Sequence, residues 1–344
     1  MENVAPRRIN NVTFGNVISA VAVVFIHSNS IWLFTRDSYW FSVNIIESVL
    51  YFAVPVFFMN SAIVNIDYRE KYSTREFLKK RFKKVFIPFV FWTFAGLLYN
   101  IANHFVEISD IDLPYIIRGF SESTIVYSFW FFWPLFTIYL SIPFVSLIPK
   151  EKRLPIFNYV IILGLSFSVI PKFVSDVFEL NYTFPVSFPI GSEYILYIFI
   201  GYVIAHTDIT LAKRLIIYAF GIIGLLLHAV GTYKLSMAAD CVVSTFKGYD
   251  KLPCYLYAMA AFLLIKQISL LIKNEKFWKI MNKVAGYTFP VYLMHSFFLG
   301  MSTQLGLTLQ DPFYRFGVPF IVILICVVIT ENVRKVPVIR ALLP

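Results

Sequence analysis

The sequence predicts an all-α integral membrane protein of about ten transmembrane helices in a single bundle, with both termini cytoplasmic. Three observations carry that expectation. Of the 344 residues, 58% are apolar and only 15% charged, against about a quarter charged in an ordinary soluble domain. Apolar runs long enough to cross about 30 Å of hydrocarbon, about 20 residues at 1.5 Å each, recur along the whole chain. Basic residues crowd into alternate connections between those runs. The same composition argues against disorder, coiled coil and ordinary nucleic-acid binding. Cys241, Cys254 and Cys326 form no CxxC pair, and no Cys/His cluster has metal-binding spacing, so no metal is expected.

In chain order the spans are expected at 14–34, 43–65, 85–106, 127–147, 155–174, 191–206, 214–233, 253–273, 284–304 and 317–333. The first apolar run is too long for a signal peptide and lacks a small-residue cleavage site, so it is expected to remain as the first helix. Between the second and third spans lies the longest basic connection, 66–84, and Pro88 falls where a helix tolerates it, in the first turn. The fifth span carries Pro171 near its end, and the sixth, 191–206, is short. No linker, soluble domain or clear repeat interrupts the pattern, so residues 1–344 read as one membrane domain.

The charge count orients the bundle. Connections holding Arg7 and Arg8, Arg69 to Lys84, Lys150 to Arg153, Lys213 and Arg214, Lys266 to Lys283, and Arg334 to Arg340 contain 23 of the 30 basic residues. The opposite set holds Arg36, Arg118, Lys172, Lys234, Lys247, Lys251 and Arg315. Basic residues are retained in the cytoplasm, so the first set and both termini are expected there. The net charge of +10 thus becomes a transverse asymmetry.

Ionisable residues at bilayer depth cost several kcal/mol and default to functional hypotheses. His27 lies 13 residues into the first expected span, about 19 Å from its cytoplasmic boundary. Apolar residues 20–26 precede it, and Ser28, Asn29 and Ser30 follow. Burial favours a neutral imidazole, the form a general base needs, although a histidine bridging two helices would also fit. His295 is 12 residues past Lys283 in another outward span, at nearly the depth of His27. The two could share a site, with His295 as a second-shell or packing group. Glu47 and Glu193 fall near the outer face, where they could orient His27 or bind substrate hydroxyls, or simply be solvated. His104, His206 and His228 read as structural.

The segment from Arg75 to Pro88 interleaves Arg75, Lys79, Lys80, Arg81, Lys83 and Lys84 with Phe77, Leu78, Phe82, Val85 and Phe86. At helical spacing this makes an interfacial helix with a cationic face. Anionic lipid would attract it by about 1 kcal/mol per basic residue. The sharper expectation is that Arg75, Lys79, Lys80, Arg81 and Lys84 grip the phosphates of a cytoplasmic donor. No Walker or Rossmann glycine pattern is present, which argues against a nucleotide held in those ways.

At these residues the chain resembles the integral-membrane acyltransferase-3 family. Asn16-Val-Ile-Ser-Ala-Val-Ala-Val-Val-Phe-Ile-His27 is similar to the family's opening helix, and Val54-Pro-Val-Phe-Phe-Met-Asn-Ser61 to its second-helix block. Phe77 to Pro88 resembles its basic loop, Trp130 to Pro143 its fourth-span block, and Tyr292-Leu-Met-His295 its penultimate helix. The chain departs from the pattern where Asn16 stands in place of the usual Arg, Thr13 in place of Asp and Ala62 in place of Gly; Arg7 or Arg8 could substitute for the missing Arg.

The resemblance implies a small, single-domain O-acetyltransferase of the cell membrane. It would take acyl-CoA from the cytoplasm as donor substrate, with no permanently bound cofactor, and pass the acyl group to a sugar or lipid-linked glycan. His27 is the implied catalytic residue, as base or as acyl relay. Asn16 joins His295, Glu47 and Glu193 as a second-shell or substrate candidate. A multi-span transporter or flippase would share many of these features, but no inverted repeat is found. A non-catalytic subunit of glycan assembly would have no need of the buried histidine.

Overall fold

The computed structural model describes residues 10–180, 182–186, 188, 190 and 193–344, and every regular element among them is helical. Among the described residues, seven helical runs are long and apolar enough to cross a membrane: Asn10–His27, Ser38–Glu70, Thr74–Ala102, Tyr127–Val145, Lys150–Val177, Leu211–Ala239 and Leu252–Leu271. The other three expected spans are shorter helices. Residues 191 and 192 lie outside the described set, and the apolar helix there is Glu193–His206. The last two spans correspond to Thr288–Gln304 and Val318–Arg334, each of 17 residues.

We label α1 (Asn10–His27), α2 (Ser38–Leu50), α3 (Ala53–Asn65), α4 (Thr74–Arg81), α5 (Ile87–Ala102), α6 (Leu113–Ser121), α7 (Phe132–Val145), α8 (Lys150–Gly164), α9 (Ile170–Val177), α10 (Leu196–His206), α11 (Leu211–Leu226), α12 (Thr232–Ala239), α13 (Leu252–Leu271), α14 (Glu275–Val284), α15 (Thr288–Gln304) and α16 (Val318–Arg334). Several long runs are jointed. A turn at Tyr51–Phe52 separates α2 from α3, and one π-type turn each joins α4 to α5, α8 to α9 and α11 to α12. Such single turns insert a residue and re-aim the side chains beyond them.

The first span differs from expectation: its helix covers 10–27 and not 14–34, so His27 is its last residue. The cause lies in the next two side chains. Ser28 Oγ and Asn29 Nδ2 both donate to the Phe25 carbonyl, at 3.1 and 3.0 Å. They occupy an acceptor that a continuing helix would use. The basic segment is helical, as its spacing predicts, and α4 and α5 form one helix through 82–86. Ser73 caps its start by accepting from the Glu76 amide at 3.3 Å, and Pro88 sits in the first turn of α5.

α1 is the hub, packing on α2, α3, α13, α14, α15 and α16. Small residues make this possible: a Cβ at Gly15 would lie 2.9 Å from Asn60 Nδ2 and 3.1 Å from Val56, so a larger side chain would push α3 away. Of the apolar 18-residue stretch within Ser38–Glu70, 72% is buried, against 22% for that within Lys150–Val177 and 28% for that within Leu211–Ala239. The first therefore belongs to the interior and the other two to the perimeter, where Leu215, Ile222 and Leu226 on α11 are exposed.

Polar contacts between connections tie like ends together. At one end Asp67 meets Arg153 at 2.5 Å, Arg69 Nε donates to Ser146 at 2.8 Å and Arg214 to Gln267 at 2.6 Å. At the other, Arg36 pairs with Asp240 and Lys172 with Asp250, each at 2.7 Å. Each contact joins residues that the basic-residue count assigns to one face. Arg7 and Arg8 lie outside the described residues.

Candidate active site

Where α1 ends, His27 meets His295 of α15, with ring centroids 4.9 Å apart and planes inclined at 51°. His295 is fully buried, and its Nδ1 lies 2.7 Å from the Tyr292 carbonyl and 3.2 Å from that of Val291. A carbonyl oxygen only accepts, so Nδ1 carries the proton. That leaves Nε2 as an acceptor, 3.4 Å from Ser296 Oγ. The Ser296 hydroxyl is in turn 2.7 Å from that of Ser128, and the Tyr292 hydroxyl donates to the Ser128 carbonyl. His295 is thus held in one tautomer and one place. His27 is half-buried, and its side chain makes no hydrogen bond among the described residues.

A second layer fixes the turn that follows. Arg315, in the π-type turn before α16, is buried, donating from Nε to Asn29 Oδ1 at 2.9 Å and from Nη2 to Ser42 Oγ at 2.7 Å. Its own carbonyl accepts from Asn29 Nδ2 at 3.2 Å and Ser28 Oγ at 3.3 Å. Glu47 is buried too, accepting from the Ile31 amide at 2.8 Å and lying 3.8 Å from Lys247 Nζ. A solvated interfacial carboxylate is therefore the wrong description of Glu47. It fastens the strap between α1 and α2 four residues beyond His27.

The remaining candidates lie elsewhere. Asn16 accepts from Asn60 Nδ2 at 2.9 Å, eleven residues before His27 and about 16 Å away along the helix. Glu193 is exposed with φ +49°, on the wall of a cavity of about 560 Å³ at the end of the bundle that holds Lys172, Asp176 and Asp250. Neither histidine lines that cavity. In the basic helix Arg75, Lys79 and Lys84 are exposed, and Lys80 pairs with Glu76 at 2.9 Å across the Tyr72 ring. Arg81 turns inward, 5.5 Å from the Phe77 ring and 5.6 Å from that of Tyr139, with its buried Nε unpartnered among the described residues.

Arg315 and Lys247 stand in the sequence merely among the outer-face charges. His228 is fully buried, 4.5 Å from the Tyr51 ring. Arg315 carries a signal in hindsight, as a lone charge at the start of an apolar run.

Chemically, an imidazole without a hydrogen-bond partner among the described residues, beside a histidine whose Nε2 is an acceptor, is an arrangement able to receive a proton. A family model for the acyltransferase domain of acyltransferase-3 matches residues 12–331, nearly the whole chain. The chain belongs to the acyltransferase-3 family. It is a membrane acyltransferase, and the match runs from the first turn of α1 to the last turn of α16. No curated protein and no solved structure gives a significant match to this acyltransferase.

Proposed function

We propose that this acyltransferase moves an acyl group, an acetyl group in the first instance, from cytoplasmic acyl-CoA to a hydroxyl of a cell-surface or lipid-linked glycan. The observation that carries the reading is the His27 ring, without a hydrogen-bond partner among the described residues, beside a tautomer-locked His295 inside an acyltransferase domain. His27 would accept the proton of the acceptor hydroxyl as its oxygen attacks the thioester carbonyl; the C–S bond then breaks and coenzyme A leaves with a proton. Alternatively His27 takes the acyl group itself and hands it on as an acyl-imidazole.

Both termini face the cytoplasm in this proposal, which puts the basic helix beside the donor's phosphates and the far end of the bundle in reach of an outer-face glycan. Arg81 would grip a phosphate from its aromatic clamp, while Arg75, Lys79, Lys80 and Lys84 add attraction that anionic lipid would share. The protein would act in the inner or plasma membrane, and the small, single-domain type exemplified by the O-acetyltransferase of enterobacterial common antigen describes it best.

Purified protein in liposomes, given labelled acetyl-CoA outside and a lipid-linked glycan, tests the reading. Label on the glycan is the expected result. Movement of glycan across the bilayer without label transfer would overturn it in favour of a transporter, and neither event would favour an assembly subunit.

A further inference from the structure

Two cavities adjoin at one end of the bundle. The first, of about 560 Å³, lies between the end of the helical run Lys150–Val177 and the segment 182–186, with Glu193 and Asp250 in its wall. The second, of about 400 Å³, is lined by residues 242–245 and Lys251, all from the connection between α12 and α13. Asp176 lines both, and its ion pair with Lys251 stands between them. Together they make one groove, which neither His27 nor His295 lines. Lys172 follows Lys150 by 22 residues, and Lys150 pairs with Glu70 just before the basic helix. About 33 Å of helix, enough to cross the hydrocarbon, therefore separates the groove from those cations. The groove shares its end of the bundle with His27, because Arg36 in the strap after His27 pairs with Asp240, where the α12–α13 connection begins.

The lining selects a ligand. In the first cavity the carboxylates of Asp176, Glu193 and Asp250 face the single ammonium of Lys172, a balance that repels an anion. A metal ion is no better served, since no three such side chains stand close enough to hold one among the described residues. An apolar ligand would strip water from the Lys172–Asp250 pair, whose atoms are 2.7 Å apart. Hydroxyl groups suit the whole set, because each donates to a carboxylate and accepts from an ammonium. The Glu193 carboxylate has no hydrogen bond or ion pair among the described residues, and the Tyr255 hydroxyl fixes its position by donating to its carbonyl. Phe167 and Phe184, with ring centres 6.1 Å apart, add an apolar face for a sugar's C–H groups. A volume of about 560 Å³ is within the range that holds small ligands. The second cavity, with the hydroxyls of Ser244 and Thr245, gives room for a further unit of the same kind.

We infer that this groove binds two or more successive units of a neutral glycan chain, at a distance from the hydroxyl that is acylated. Glu193 accepts from a hydroxyl of the unit in the first cavity, and Thr245 bonds to the next unit, beyond the Asp176–Lys251 pair. The acceptor is then recognised as a chain and not as a single sugar. The inference rests on the O-acyltransfer reading above.

The test uses the full chain in nanodiscs, with Glu193→Gln in the first cavity and Thr245→Val in the second. Neither side chain makes a hydrogen bond among the described residues, so a loss of binding reads the groove and not the fold. Two quantities are measured: affinity by calorimetric titration for saccharides of one, two and three units built from glucose, galactose, mannose or N-acetylglucosamine, and the KM for lipid-linked glycan against that for acetyl-CoA. We expect one series in which three units bind about tenfold more tightly than one. Glu193→Gln should weaken every member of that series about tenfold, and Thr245→Val should weaken the longer members about fivefold with the single unit unchanged. Both should raise the glycan KM and leave the acetyl-CoA KM as it is. No binding in any series, equal affinity for one unit and three, or variants that bind as the wild type does would overturn the inference, while label transfer to the glycan would keep O-acyltransfer standing. The expected binding pattern with no label transfer by the wild type would support the groove and overturn O-acyltransfer.

Discussion

The basic helix Thr74–Phe86 and the polar layer behind His27 hold charge in opposite ways. On the helix, cations are mostly exposed and paired locally if at all, as Lys80 is with Glu76. Around His27 the few charged groups are buried and individually placed: Arg315 holds Asn29 and Ser42, and Glu47 holds the Ile31 amide. Exposed charges act by number and are screened by salt, each contributing at most about 1 kcal/mol. Buried ones act by identity, because removing one strands its partners without water. The first region can lose a residue and keep its effect; the second cannot.

Substitutions should widen or collapse this contrast, and the largest effect is expected at His27. His27→Ala should lower acyl transfer by about 10²–10⁴-fold at matched membrane insertion, measured with labelled acetyl-CoA; near-normal transfer would remove His27 from the mechanism. Arg315→Met should come next, costing about 3 kcal/mol in thermal unfolding by stranding Asn29 and Ser42. Arg315→Lys should recover only part of that, since an ammonium cannot reproduce the two-armed fork; an unshifted melting temperature in the Met variant would make the layer behave like the surface.

His295→Leu should reduce kcat about tenfold to a hundredfold with little change in either KM. His295→Gln should keep more activity, because its amide oxygen can stand near the place of Nε2; equal losses would reduce His295 to packing. The smallest effects belong to the basic helix. Arg81→Gln should raise the acyl-CoA KM about tenfold. Arg75→Gln and Lys79→Gln should raise it less than about threefold, and added salt should erase the difference. Equal effects at all three positions would show that Arg81 gains nothing from its aromatic clamp.

Periodicity and apolar length made the helices legible, because a chain in lipid must satisfy its backbone within each span. Helix ends were less so: α1 stops at His27 through the Ser28 and Asn29 side chains, a local competition that an apolar run does not display. The histidine pair was legible as two imidazoles at one depth, but not as a contact, since α1 and α15 are separated by more than 250 residues of chain. Glu47 and Lys247 looked like interfacial charges because hydropathy reports distance along a helix and not which way a loop folds back.

What the sequence by itself determined is the solvent, the helical class, the two-sided distribution of charge, and His27 as the residue most in need of explanation. All four follow from composition and spacing along one dimension. Only the tertiary structure decided which polar groups meet: the locked tautomer of His295, the Arg315 brace, and the burial of Glu47 beside Lys247. Those depend on helix rotation and on where connections return, which are set by packing between segments distant in sequence, and no local pattern encodes them.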